Sequence, residues 1–155
     1  MTTITFNCEN TTLPELDYPL VREWIGEVAA EHDFQVGRIS YLFCDDEFIL
    51  RANREFIDHD YYTDIITFDY TRRDIIGGDI MISLDTVGSN AQLVATSFSN
   101  ELLRVIIHGV LHLCGINDKG PGERENMEAH ENRALEIWYQ LNRNDARKAD
   151  ADKSN

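Results

Sequence analysis

The chain has 155 residues, enough for one domain with its own hydrophobic core, and its 43% of apolar residues exclude a chain that is disordered throughout. Its 28 acidic and 14 basic side chains give a formal net charge of −14, which opposes long-range attraction to nucleic acid. No apolar run approaches the ~18 residues that span a bilayer, and the first residues lack the pattern of a signal peptide. We therefore expect a cytoplasmic protein without membrane contact.

Hydrophobic periodicity predicts four strands and five helices. In chain order these are a strand over 2–7, a helix over 14–32, a strand over 37–43, a helix from 45 or 46 to 56, strands over 63–70 and 79–83 with a turn at 72–78 between them, and helices over 84–95, 99–114 and 122–142. This order predicts an α+β (mixed α/β) fold, with about four strands in a mixed sheet and about five helices packed on it. We expect a single domain over residues 1–144 and a polar, flexible tail over 145–155.

The helix over 99–114 carries two histidines, His108 and His112, on an otherwise apolar body that predicts burial. Residues four apart share a helix face, so the imidazoles lie in a polar stripe about 100° wide with Glu101 and Arg104. Imidazoles one turn apart can direct ring nitrogens at one cation, ~2.0–2.1 Å from each. The stripe predicts a metal site on a buried helix; two hydrogen-bonded packing histidines would show the same spacing.

A third ligand is expected just beyond this helix. Gly115 can end the helix in the left-handed conformation, after which the chain can return Asp118 to the histidines. Three protein ligands with one open position are typical of a catalytic metal. Glu128 and His130, on the helix over 122–142, remain alternative ligands, but a short loop is easier to close and favours Asp118.

Gly109 stands where zinc peptidases of the His-Glu-x-x-His type carry their general base. The missing glutamate disfavours peptide hydrolysis by that route. Because glycine inside a helix costs about 1 kcal/mol against alanine, we expect something to approach the backbone here. The group that approaches the Gly109 backbone is either a bound ligand or a neighbouring strand.

A second polar group precedes this helix in the sequence and comprises Asp60, Thr63, Asp64, Asp69 and Asp79. Most aspartates at strand ends cap turns, and we expect that role for most of these. Asp64 and Asp79 flank apolar strands, however, so either could line a groove beside the metal, and Asp64 is the candidate catalytic carboxylate. His59 is expected to be a loop residue.

The segment His108-Gly-x-Leu-His112-Leu-x-Gly115-x-x-Asp118 resembles the signature of the YbeY family, the metal-dependent endoribonucleases of ribosomal RNA maturation. The resemblance extends from about residue 39 to about 135 and also rests on Asn53, Phe56, Asp60, residues 63–68 (Thr-Asp-Ile-Ile-Thr-Phe), Gly78-Asp79-Ile80 and Ser83. It implies a single zinc ion in a hydrolytic site, single-stranded RNA as substrate, and a role in small-subunit rRNA processing and ribosome quality control. The implied partners are ribosomal RNA, the pre-ribosomal small subunit, a small-subunit ribosomal protein and an assembly GTPase.

Two departures from the family pattern stand out. Asp118 occupies the position of the family's third histidine, and a carboxylate makes iron, manganese or nickel plausible beside zinc. Ile57 occupies the position of a family arginine associated with activity. The cations that could replace it against a phosphate are Arg54, Arg72, Arg73 and Arg104.

These residues suggest a mechanism in which a cation at His108, His112 and Asp118 activates water for attack on an RNA phosphodiester. Arg104 is the candidate for holding the phosphate, and Phe68 or Tyr70 could stack a base. The alternative is a non-catalytic ribosome assembly factor with a mainly structural metal, which the missing arginine and the net charge favour. A third hypothesis treats two histidines and one carboxylate as an iron site for oxygen chemistry.

Overall fold

A computed structural model describes residues 2–57 and 63–153, so the expectations for His59 and Asp60 lie outside the described residues. The elements are β1 (Thr3–Glu9), α1 (Tyr18–Glu31), β2 (Gln35–Cys44), α2 (Asp46–Ala52), a π-helical turn (Asn53–Ile57), β3 (Ile65–Asp69), β4 (Ile75–Ser83), α3 (Leu84–Leu93), α4 (Phe98–Leu113) and α5 (Glu123–Lys153). The predicted α+β class, with a four-stranded mixed sheet and five helices, is confirmed within these ranges.

Several element boundaries differ from the sequence prediction, among them the starts of α1 and β4 and, most of all, the end of α5. Helix α1 begins at Tyr18 rather than at residue 14, because the Asp17 carboxylate accepts a hydrogen bond from the Leu20 amide and caps the helix there. Strand β4 begins at Ile75, so the turn predicted at 72–78 is shorter and is closed by a bridge between Arg72 and Ile75.

Helix α5 continues to Lys153, beyond the end predicted at residue 142. The prediction ended the helix where the apolar stripe ends. The sequence between 123 and 153 contains neither glycine nor proline, however, so nothing in it stops the helix from continuing. The flexibility expected for 145–155 stays a prediction. Within the described residues, no helix combines the length and apolar character needed to cross a membrane.

The strands form one mixed sheet in the order β1-β2-β4-β3. Strands β1, β2 and β4 run parallel, whereas β3 pairs antiparallel with β4. Alternate residues of a strand face opposite sides of a sheet. Ile80 and Ile82 accordingly join the main core, while Met81 joins a smaller cluster with Ile49 and Ile66. The sheet therefore has helices on both faces, with α2 covering the smaller cluster.

Helix α4 lies against the sheet at the centre of the main core, as its apolar sequence predicts. The buried Tyr41 hydroxyl of β2 donates to the Ile106 carbonyl at 3.0 Å. A Cβ on Gly109 would lie 2.9 Å from Cδ1 of Ile80 and 3.3 Å from Cδ1 of Ile65. Of the two explanations for this glycine, the structure supports close packing against neighbouring strands. The opposite, polar side of α4 remains available to the site.

Gly78 is expected to be intolerant of even a methyl group, because its Cβ would overlap the Phe68 carbonyl oxygen of the adjacent strand. Backbone cannot move aside as a flexible side chain can, so Gly78→Ala should lower the free energy of unfolding by about 2 kcal/mol. Urea denaturation measures this. Gly26→Ala is the matched control, since nothing lies within 4 Å of that Cβ in the interior of α1, and it should be neutral or stabilising.

Candidate functional site

The predicted helix stop at Gly115 is confirmed and has the form of a Schellman motif. Gly115 has a φ of +88°, its amide donates to the His112 carbonyl at 3.0 Å, and the Ile116 amide donates to the Leu111 carbonyl at 3.1 Å. The left-handed residue reverses the chain at the end of α4. The reversal returns Asp118 to the helix, where its Oδ2 lies 3.2 Å from Nε2 of His108.

His108 is held between two carboxylates, one at each ring nitrogen. Nδ1 lies 2.7 Å from Oε2 of Glu131, and Nε2 faces Asp118. Burial lowers the pKa of His108, but the hydrogen bond and charge of Glu131, together with Asp118 and Asp64, outweigh that effect and raise the pKa. With Nδ1 engaged by Glu131, Nε2 is the nitrogen that can serve a ligand on the side of Asp118.

Glu131 is a buried carboxylate of α5, only 9% exposed, and it was not among the residues predicted from sequence. Its Oε1 accepts a hydrogen bond from Nη1 of Arg104 at 2.9 Å, and Nη2 of Arg104 donates to Oδ1 of Asn132 at 2.8 Å. A charged chain therefore runs from Arg104 through Glu131 to His108. A sequence signal for Glu131 does exist, because it interrupts the apolar stripe of Met127, Ala134, Leu135 and Trp138 along α5.

A cleft of about 890 Å³ brings the proposed site residues together. Its walls include all five of the residues predicted to be catalytic or metal-binding, namely Asp64, Arg104, His108, His112 and Asp118. Thr63 and Glu128 also line it. The five predicted residues therefore share one cleft, and their catalytic and metal-binding roles stay predictions.

Several other candidates lie elsewhere among the described residues. The His130 ring contacts that of His32, with centroids 5.1 Å apart, and lies outside the lining of the cleft. Asp69 and Asp79 are exposed on β3 and β4 and also lie outside it. Both aromatic candidates for base stacking also lie outside the lining of the cleft: Phe68 packs edge-on against Phe56, and Tyr70 is exposed. Two of the candidate arginines, Arg72 and Arg73, lie outside it as well.

Asp64 is a half-buried carboxylate immediately before β3, on the wall of the cleft. Burial raises its pKa, Glu131 adds to this effect, and the positive charge of His108 with nearby backbone amides opposes it. A carboxyl with a raised pKa binds protons more readily in the folded state than in the unfolded chain. The protonated carboxyl therefore stabilises the fold at low pH, and this contribution is lost as the pH rises through the raised pKa of the folded state.

Replacing Asp64 should consequently stabilise the fold at neutral pH. For metal-stripped protein, we expect Asp64→Asn to raise the free energy of unfolding more at pH 7 than at pH 3, because a raised pKa makes the wild-type carboxyl progressively less favourable to the fold as the pH rises. Denaturant titrations at the two pH values measure the difference. Asp79→Asn, at an exposed aspartate of β4, controls for the substitution itself, and equal effects of Asp64→Asn at both pH values would contradict the expectation.

The charge lining the cleft is unbalanced. With His108 and His112 counted as neutral, as metal ligation requires, the described residues of the lining include five carboxylates and three cationic side chains: Asp64, Glu101, Asp118, Glu128 and Glu131 against Arg104, Lys119 and Arg124. The excess of two negative charges equals the charge of one divalent cation. This excess favours a cation over an anionic group as the resident ligand of the cleft.

The donor set fits a divalent cation in its chemistry. His108, His112 and Asp118 offer two imidazoles and one carboxylate, and a ligating imidazole commonly donates its other N–H to a carboxylate, as Nδ1 of His108 can to Glu131. In residues 2–57 and 63–153, no group of three or more His, Cys, Asp or Glu side chains has the geometry of a metal site as the side chains stand. The metal site therefore stays a prediction.

Comparison with known proteins gives consistent results. The profile of the family described as "Endoribonuclease YbeY" matches residues 4–139. An Endoribonuclease YbeY of Bacteroides thetaiotaomicron is 54% identical over 132 residues, which are 85% of this chain and 96% of the relative. Another, from Parabacteroides distasonis, is 57% identical over 134 residues, 86% of this chain and 94% of the relative. The solution structure of a Thermotoga maritima protein has a TM-score of 0.64 and 25% identity, and the match covers 92% of this chain and 93% of that one.

Proposed function

Since the chain belongs to the YbeY family of endoribonucleases, we propose that it is a metal-dependent endoribonuclease that cleaves single-stranded RNA during maturation of the small-subunit ribosomal RNA. The observation that carries the proposal is the arrangement of His108, with Nδ1 on the buried Glu131 and Nε2 directed at Asp118. One ring nitrogen is thereby engaged by the protein and the other faces the cleft. This is the arrangement that a metal-ligating histidine requires.

We propose His108 Nε2, His112 and Asp118 as the protein ligands of one zinc ion, with iron, manganese or nickel as alternatives because one donor is a carboxylate oxygen. What a divalent cation supplies at such a site is Lewis acidity, which activates water and offsets negative charge on a phosphodiester. Glu128 remains the alternative carboxylate donor, since it too lines the cleft. The position of His130 against His32 argues against it as a ligand.

The chain's own groups serve binding and proton transfer. Glu131 keeps the proton of His108 on Nδ1 and orients the ring. Asp64, whose pKa is raised by burial, is suited to exchange a proton with the attacking water or the leaving hydroxyl. The Arg104 guanidinium is already bonded to Glu131 and Asn132, but it lines the cleft and can approach a phosphate oxygen with a remaining N–H.

The test is a cleavage assay on a single-stranded fragment of small-subunit rRNA with protein purified without a histidine tag. We expect one metal ion per chain, cleavage that a chelator abolishes, and recovery when zinc or manganese is restored. Cleavage that persists in protein shown to be free of metal would contradict the proposal.

We further propose that the protein acts in the cytoplasm in ribosome quality control, with a small-subunit ribosomal protein and an assembly GTPase as partners. Pull-down from cell extract tests those contacts.

Three observations favour a second function, that of a ribosome assembly factor without nuclease activity. The net charge of −14 and the acidic lining of the cleft both oppose phosphate binding, and Ile57 replaces the expected arginine. An assembly factor would bind pre-ribosomal particles without cutting RNA, and its metal would mainly stabilise the fold. Binding without cleavage by fully metal-loaded protein would support this alternative.

A further inference from the structure

The cleft extends well beyond the three proposed ligands, along α4 towards its first turn. Its far end is lined by the uncharged Val94, Thr96, Asn100 and Tyr139 and by one carboxylate, Glu101, which follows Asn100 in the first turn of α4. Asn100 precedes His108 by eight residues, a separation of about 12 Å along a helix. Besides Arg104, the described lining has two cations, Lys119 and Arg124, and both belong to the chain segment that follows Asp118. The far end therefore has a carboxylate and no cation among its described residues, and it suits a neutral, partly apolar group rather than a phosphate.

Two side chains at this far end are already oriented by hydrogen bonds. The Tyr139 hydroxyl donates to Oδ1 of Asn100 at 3.0 Å, and Nδ2 of Asn100 donates to Oγ1 of Thr96 at 3.4 Å. A side-chain amide has two N–H groups and two oxygen lone pairs. Asn100 consequently retains one N–H donor and one oxygen lone pair for a ligand. That pair is complementary to the edge of a nucleobase that offers an acceptor beside a donor.

The Tyr139 ring provides the aromatic surface that a base also needs. It is 42% exposed on α5, and Val94, which is 63% exposed, also lines the cleft. An exposed ring whose hydroxyl is anchored can accept a stacked base with little loss of side-chain entropy. We propose that Tyr139 and Asn100 form a nucleobase subsite for the RNA strand, in which the base stacks on Tyr139 and Asn100 reads its edge, with adenine preferred. This inference rests on the proposed function, because it assumes RNA in the cleft.

The test measures binding of short, labelled single-stranded RNAs to the full chain by fluorescence anisotropy. Tyr139→Ser should weaken binding of an adenine-rich RNA at least about fivefold, whereas Tyr139→Phe, which keeps the ring, should lose about twofold. Tyr70→Ser is the matched control, an equally drastic change at an exposed tyrosine outside the cleft, and should leave affinity unchanged. Asn100→Ala should reduce the preference for adenine-rich over uracil-rich RNA. Equal unfolding midpoints confirm that the variants fold.

Two results would overturn the subsite: an RNA affinity of Tyr139→Ser within twofold of wild type, or a loss of affinity in Tyr70→Ser as large as that in Tyr139→Ser.

Cleavage kinetics separate failure of the subsite from failure of the proposed nuclease function. With the subsite present, Tyr139→Ser raises KM and leaves kcat near wild type. If the wild type cuts RNA and Tyr139→Ser cuts it equally well, the subsite is wrong and the nuclease stands. If the wild type binds RNA with the expected dependence on Tyr139 but never cuts it, the subsite stands and the nuclease is wrong. A wild type that binds no RNA overturns both.

Discussion

His112→Ala is expected to remove both the bound metal and the ability to cut RNA. His112 is half-buried on the cleft wall and is one of three proposed ligands, so alanine leaves one imidazole and one carboxylate for the ion. A metal contributes several kcal/mol of transition-state stabilisation, so cleavage should fall by at least about a thousandfold. Elemental analysis and a cleavage assay on the same sample measure the two effects together.

His130→Ala is the matched control for this substitution. The residue lies on α5 against His32, outside the cleft, and its loss should alter neither metal content nor cleavage rate. If His130→Ala lost the metal while His112→Ala kept it, the assignment of ligands would be wrong. Circular dichroism with unfolding curves shows whether either variant has lost its fold.

Glu131→Ala is expected to weaken metal binding by about 10- to 100-fold, although Glu131 is not a proposed ligand. The substitution removes the acceptor at Nδ1 of His108 and the carboxylate that pairs with Arg104. The imidazole then loses both its orientation and the negative charge that increases its basicity. Metal-competition titrations give the change in affinity, and kcat measured at saturating metal shows whether activity returns once the site is filled.

Glu131→Gln separates geometry from charge, because the amide oxygen can still accept a hydrogen bond from His108. We expect it to retain more metal affinity than Glu131→Ala. Glu136→Gln, at an exposed glutamate of the same helix, should have no effect. Full metal affinity in Glu131→Ala would show that the buried carboxylate serves packing alone.

The local part of the site follows from short-range rules. Helical periodicity predicts that His108 and His112 share a face, and the conformational freedom of glycine predicts the reversal at Gly115. The return of Asp118 then needs only a short loop. These features depend on neighbouring residues in the chain, and for that reason sequence alone reveals them.

The rest depends on contacts between distant segments, which periodicity does not encode. Glu131 reaches His108 across 23 positions of sequence, and Tyr139 reaches Asn100 across 39. The placement of β4 between β2 and β3 is likewise a tertiary result, set by how Ile80 and Ile82 pack beneath α4. The predicted end of α5 at residue 142 was wrong because a polar sequence without glycine or proline has no local signal that ends a helix.

The most direct test of the central claim is to follow the five histidine side chains by nitrogen-15 NMR while zinc is added to chelator-stripped protein. The account predicts that Nε2 of His108 and one ring nitrogen of His112 shift together and saturate at one equivalent, while Nδ1 of His108 stays protonated. The resonances of His32 and His130 should stay in place. Saturation without any shift at His108 and His112, or shifts confined to His32 and His130, would contradict the account.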